Sequence, residues 1–189
     1  DDIKKYNVKS FLADGTEKNN KFSDIKNVGY DIIKKNINSF NNESNITLEN
    51  WVNSKVGKEN KSLLLQMDIE GSEIPVLYQC DLNLLKRFKI MIIEFHDFEY
   101  LGNDFGLRVL NEIFDKIFIN FKICHIHPNN CCGFYKVNHY KIPRFMEITF
   151  INKNSFNKLE KIKENLPHKL DKKCKTELKD ISLPEFFYK

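Results

Sequence analysis

At 189 residues, with 41% hydrophobic and 13% aromatic content, the chain can bury one sizeable core and reads most simply as one globular domain. Its longest apolar runs, around Leu63–Met67 and Ile90–Ile93, fall far short of the roughly 20 residues that span a bilayer, and no charged-then-apolar leader opens it, so neither membrane insertion nor export is expected. The formal charge of +4 reflects 30 basic against 26 acidic residues, but only Arg87, Arg108 and Arg144 are arginines, and Lys and Asn are spread along the chain without forming one patch; bidentate readers of phosphate and guanine are usually Arg, so no nucleic-acid partner is expected.

The five cysteines are Cys80, Cys124, Cys131, Cys132 and Cys174. An odd number, with an adjacent pair that matches no common zinc spacing, points to a reduced, cytoplasmic protein.

Four apolar, β-branched runs predict buried strands in chain order: Val8–Ala13, Leu63–Ile69, Ile90–Phe95 and Phe145–Ile151. A shorter run, Phe121–His127, has the same character. Helical spacing lies between them. Leu48, Val52 and Val56 follow the cap-like Thr47; Ile74, Leu77, Leu82 and Leu85 follow Ser72; Leu107, Leu110, Ile113, Phe114, Ile117 and Phe118 line one face of a longer helix. Strand alternating with helix is the pattern of an α/β fold with a parallel sheet. After Phe121–His127 the alternation stops: the turn-rich stretch from Pro128 to Pro143 has no helix, so the last two strands are expected to pair antiparallel at the sheet edge. Residues 1–153 form the expected core. Residues 154–189 are expected to add a charged helix near Ser155–Asn165 and an extended arm lying on the body.

Ligands of open parallel sheets bind at the carboxyl ends of the strands, where loops converge and helix N-termini point. Polar residues are concentrated there. The first run ends in Asp14-Gly15-Thr16, the second in Asp68-Ile69-Glu70-Gly71-Ser72-Glu73, the third in Glu94-Phe95-His96-Asp97, and the shorter run in His125-Ile126-His127-Pro128-Asn129-Asn130. In a strand, Asp68 and Glu70 share one side with Ile69 in the core; Gly71 then permits a tight turn and Ser72 with Glu73 starts a helix. Glu94 and His96 repeat that spacing, as do His125 and His127. The plainer alternatives are a helix-capping turn for Asp68–Glu73, an edge residue for His125, surface positions for His139 and His168, and a core position for Trp51.

These segments resemble one family. Leu64-Leu65-Gln66-Met67-Asp68-Ile69-Glu70-Gly71-Ser72-Glu73, then Met91-Ile92-Ile93-Glu94-Phe95-His96, then His125-Ile126-His127-Pro128-Asn129-Asn130, and Ile142-Pro143 followed by Glu147-Ile148-Thr149-Phe150, are similar in order and spacing to FkbM-like methyltransferases. Thr47-Leu48-Glu49-Asn50-Trp51-Val52 matches the stretch such proteins carry before the acidic motif, and the resemblance runs from about Val8 to Lys153. It implies a Rossmann-like class I methyltransferase sheet, mostly parallel with an antiparallel C-terminal edge pair. It also implies S-adenosylmethionine (SAM) as methyl donor and a hydroxyl acceptor on a sugar or polysaccharide precursor, such as a capsule component. Asp14 lies where these folds place the acid on the SAM ribose; Asp68, with Glu70, lies beside the methionine moiety. The usual first strand and its glycine-rich loop have no counterpart before Val8.

The implied reaction is an in-line displacement in which a substrate oxygen attacks the sulfonium methyl and a base removes the hydroxyl proton. A neutral imidazole suits that task near pH 7. His96, oriented by Glu94 or Asp97, is the first candidate base and His127 the second, which makes His96, His127, Glu94 and Asp68 the expected catalytic set. Asp97, His125, Asn129 and Asn130 are the candidates for binding the sugar. No metal is expected; were one held, Asp68, Glu70, His96 and His127 supply the carboxylate and imidazole donors that suit Mg, Mn or Zn. The expected partners are a small-molecule or nucleotide-linked sugar, with no nucleic acid or membrane; a homodimer is left open. Two other readings remain at this point, a divalent-metal enzyme built on those four residues and a non-catalytic fragment of a methyltransferase.

Overall fold

The computed structural model describes residues 6, 8–16, 30–96, 98–160 and 166–183. The chain forms two compact units, residues 1–59 and 60–189.

In the first unit, β1 (Phe11–Ala13) pairs in parallel with β2 (Asp31–Ile33), and β3 (Asn36–Asn38) with β4 (Asn45–Thr47). The Asn-rich connections have local partners: the Asn42 side-chain oxygen accepts from the Ser44 and Asn45 amides at 2.9 and 2.8 Å, an arrangement that substitutes a side chain for a backbone turn. Helix α1 (Leu48–Val56) starts as its sequence predicts, with the Thr47 hydroxyl accepting from the Asn50 amide at 3.3 Å. It stops at Gly57, whose φ of 70° favours a residue without a Cβ. Trp51 is half-buried, and its indole nitrogen has no partner among the described residues.

The second unit holds a four-stranded sheet in the order β5 (Leu63–Met67), β6 (Phe88–Phe95), β10 (Met146–Asn152), β7 (Phe121–Pro128). β5 and β6 are parallel, while β10 runs antiparallel to both of its neighbours. Three of the four strands therefore point one way, and the antiparallel pair of β7 and β10 forms as expected. The mixed α/β class holds. One expectation is corrected: the run Val8–Ala13 does not join this sheet but contributes β1 to the separate pair with β2. At three paired residues β1 is too short for its apolar pattern to specify a partner, and strand register follows from buried faces rather than from propensity alone.

Between β5 and β6 the expected helical run is broken in two, α2 (Glu73–Gln79) and α3 (Leu82–Leu85), because Asp81 caps the second piece through the Asn83 amide at 2.6 Å. The long helix α4 (Asp104–Asn120) is capped by Asn103, whose side chain accepts from the Gly106 amide at 2.8 Å. Gly106 sits so close to the Tyr100 carbonyl that a Cβ would collide with it. Alternation along the strands puts Leu65, Met67, Met91, Ile93, Phe95, Ile148 and Phe150 into the core, with Leu110, Ile113 and Ile117 of α4 also buried. Phe114 of α4 stacks on Phe95 at a centroid distance of 5.3 Å. Ile113 is fully buried, so Ile113→Ala is expected to lower stability by about 2–5 kcal/mol in urea unfolding.

A hairpin of β8 (Phe134–Val137) and β9 (Tyr140–Pro143) fills the turn-rich connection. The charged helix expected near Ser155–Asn165 is not formed in its described part. A short 3-10 turn at Lys153–Ser155 precedes residues 156–160 without regular structure, and residues 161–165 lie outside the described residues, as does the tail from Pro184. Residues 166–183 form an arm bonded to this unit: Asp171 bonds His125 at 2.8 Å, the side chain of Asn130 bonds the backbone of Lys175 and Leu178, and Ile181 and Leu183 are buried. The five cysteines are not all thiols, since Cys131 and Cys132 are joined to each other, while Cys80, Cys124 and Cys174 form no disulfide. No helix among the described residues is long and apolar enough to cross a membrane.

Candidate active site

The site is built where β5 and β6 end. β5 stops at Met67, and Asp68 to Ser72 form a tight turn into α2 in which both Glu70 (φ 55°) and Gly71 (φ 97°) adopt left-handed backbone. Gly71 does so at no steric cost, whereas a left-handed Glu is strained, and such strain tends to persist at functional sites. The turn is held by Glu73, the first residue of α2. Its carboxylate folds back to accept from the Ile69 amide (2.8 Å, Oε1) and the Gly71 amide (3.0 Å, Oε2). Ser72, in the cap position, makes no side-chain bond. Glu73 is fully buried, whereas Asp68 is exposed and the Glu70 side chain is 84% exposed.

His96 follows the last residue of β6 and is buried, its ring 4.4 Å from that of Phe145. Nδ1 lies 3.2 Å from Oε1 of Glu73, and Nε2 lies 3.7 Å from Oε2 of Glu70. A carboxylate can only accept from the imidazole, so Nδ1 donates to Glu73, and in the neutral ring the lone pair is on Nε2. This is the orientation of a general base.

Among the described residues Glu73, rather than Glu94, orients His96. Glu94 instead accepts from the Asn129 side-chain amide at 2.9 Å, and Asp97 lies outside the described residues. Strand alternation turns Glu94 to the other face of the sheet from Phe95, where it pairs in register with Glu147 of β10, which in turn pairs with His127 of β7. Glu94, Glu147, His127 and Asn129 therefore form a half-buried polar row across three strands. Asn129 also accepts from the Cys131 amide. His125 and Asn130 are engaged by the arm, through Asp171 for the first and through Lys175 and Leu178 for the second. In the first unit, Asp14 ends β1 and accepts from the amide and hydroxyl of Thr16 at 2.8 and 2.7 Å.

Asp68, Glu73 and His96 each offer a ligand atom, all within 4.8 Å of one another. The candidate cation set is thus Asp68, Glu73 and His96, with Glu73 standing where Glu70 and His127 were expected.

Sequence reasoning missed Glu73 and Glu147. A signal for the first was available: a Gly turn leaves backbone N–H groups that need an acceptor, and an acid at the start of the next helix is placed to serve. Nothing local marks Glu147, because its neighbours come from β6 and β7.

The chain matches the family model described as the Methyltransferase FkbM domain over residues 5–124, more than half of its length. It belongs to the FkbM methyltransferase family. The matched residues include the Asp68–Glu73 turn and His96; β10 and the arm lie beyond them. No match to a curated protein or to a solved structure was found.

Proposed function

We propose that this methyltransferase is SAM-dependent and methylates a hydroxyl of a sugar or polysaccharide precursor. The observation that carries the reading is the buried His96 imidazole, held through Nδ1 by buried Glu73 at the carboxyl end of a parallel strand, which in the neutral ring makes Nε2 the acceptor. The donor chemistry fits the cofactor. Asp14, Asp68 and Glu70 present exposed carboxylates after strand ends, as a ribose diol and a ligand with ammonium and sulfonium charges require. When bound, SAM supplies an electrophilic methyl group. Within the second unit, Asp68 with Glu70 would hold the methionine end; the family resemblance assigns Asp14, in the first unit, to the ribose. His96 Nε2 takes the proton of the acceptor hydroxyl, Glu73 stabilises the imidazolium that results, and the ring of Phe145 restricts the tilt of the base. The row of Glu94, Glu147, His127 and Asn129 supplies hydrogen-bonding groups for acceptor hydroxyls.

Incubating the protein with SAM and a panel of nucleotide sugars, followed by mass spectrometry, is expected to give a singly methylated sugar. Absence of product across the panel together with absence of SAM binding would overturn the reading. Asp14→Ala is expected to weaken SAM binding about 10- to 150-fold, from loss of a charge-assisted bond on the order of 1.5–3 kcal/mol, without lowering turnover at saturating cofactor.

A second reading, a divalent-metal site on Asp68, Glu73 and His96, is favoured by the 4.8 Å clustering of their ligand atoms. Calorimetric titration with Mg and Mn decides it: heat that saturates at one equivalent and is lost in Asp68→Asn supports the metal, and silence at millimolar ion removes it.

A further inference from the structure

At the opposite end of the four-stranded sheet from His96, where β5 and β6 begin and β10 ends, lies an open pocket of about 530 Å³. The eight-residue length of β6 separates the two places, roughly 20–25 Å at about 3.3 Å per residue. Its wall carries Lys61, Lys86 and Lys89 and, among the described residues, no carboxylate. All three lysines are exposed, and none has a carboxylate partner among the described residues. Like charges gathered without counter-charges repel one another, so the arrangement favours an anion between them.

A buried group points the same way. Asn120, the last residue of α4, lines this pocket at 9% exposure, and its side-chain amide nitrogen is buried without an acceptor among the described residues. A buried donor with no acceptor is costly, and Asn120 is the residue of this wall whose hydrogen bonding is incomplete among the described residues. Asn152, 5% exposed, stiffens the wall: its amide donates to the Phe88 carbonyl at 3.1 Å while its oxygen accepts from the Asn154 amide at 3.0 Å. The carboxyl end of α4 would itself repel an anion through its free carbonyls, but Lys153 caps them, donating to Phe118 at 2.6 Å and Ile119 at 3.4 Å.

We propose that this pocket binds the phosphate or pyrophosphate group of a small molecule, at a site separate from the methyl-transfer centre. Lysines act on phosphate as compact point charges, and the volume falls within the roughly 300–1,000 Å³ of small-molecule sites, more than a lone oxyanion fills. The proposal does not depend on the identity of the methyl acceptor.

Calorimetry of the whole chain with inorganic phosphate, pyrophosphate and glucose 1-phosphate tests it, alongside the side-chain amide signals of Asn120 in ¹⁵N-labelled protein. The expected result is one-to-one binding of pyrophosphate or glucose 1-phosphate with a Kd below about 1 mM, weakening with added salt, and a shift of the Asn120 signals on addition of ligand. Lys86→Glu and Lys89→Glu, both at exposed positions, should each weaken binding about 10-fold or more. Tighter binding of glucose 1-phosphate than of pyrophosphate identifies a phosphorylated organic ligand, and the reverse order a phosphate chain; either supports the site. A Kd above about 10 mM for every anion, affinities unchanged in both variants, or Asn120 signals that do not move would overturn it.

Discussion

Replacing His96 by alanine is expected to lower the methyl-transfer rate by about 10²–10⁴-fold while leaving the affinity for SAM nearly unchanged, because general-base catalysis typically contributes that much and the carboxylates assigned to the cofactor are other residues. The geometry behind the expectation is specific. Nδ1 is committed to Glu73 at 3.2 Å, and the nearest acid to Nε2, Glu70, is 3.7 Å away on an exposed side chain. Single-turnover kinetics with a saturating acceptor isolate the chemical step, and a separate binding titration isolates the cofactor. Full turnover in His96→Ala with loss of turnover in His127→Ala would transfer the role of base to His127, whose place in the polar row beside Glu147 gives it access to the same end of the sheet. If neither change matters, alignment alone drives the reaction, or the acceptor is not a hydroxyl.

Glu73→Gln is expected to do damage of two kinds that can be measured apart. The carboxylate accepts three hydrogen bonds, from the amides of Ile69 and Gly71 and from His96, and it is fully buried. A glutamine amide offers one oxygen and one NH₂, so one backbone donor of the turn must face another donor. The cost is about 1–3 kcal/mol for that unsatisfied group, to be read from denaturant unfolding. The imidazole also loses the charged partner that selects its tautomer and stabilises its protonated form, and the rate is expected to fall on the order of 10²–10⁴-fold beyond any loss of folded protein. A variant with unchanged turnover per folded molecule would reduce Glu73 to a brace for the turn. Were the metal reading correct instead, Glu73→Gln would abolish cation binding, which calorimetry would report directly.

Local chemistry made much of this protein legible in its sequence. The apolar runs Leu63–Ile69, Ile90–Phe95, Phe121–His127 and Phe145–Ile151, and the helical spacing of Leu110, Ile113 and Ile117, are local patterns, and each lies on an element of the predicted type, to within a few residues at the ends. The Gly71 turn, the Thr47 cap and the clustering of polar residues at strand ends also depend on residues close in the chain. What only the tertiary structure decided is which of those residues meet. His96 is oriented by Glu73, 23 positions away, rather than by its neighbour Glu94, because alternation along β6 and the turn into α2 set directions that spacing alone leaves open. β10 lies between β6 and β7, which is what brings Glu147 beside both Glu94 and His127. Likewise the partnering of β1 with β2, and the retention of His125 and Asn130 by the arm, depend on long-range pairing. Propensity and period act over a few residues, whereas such pairings are selected by the burial and hydrogen bonding of the whole unit, and no short stretch of sequence contains that information.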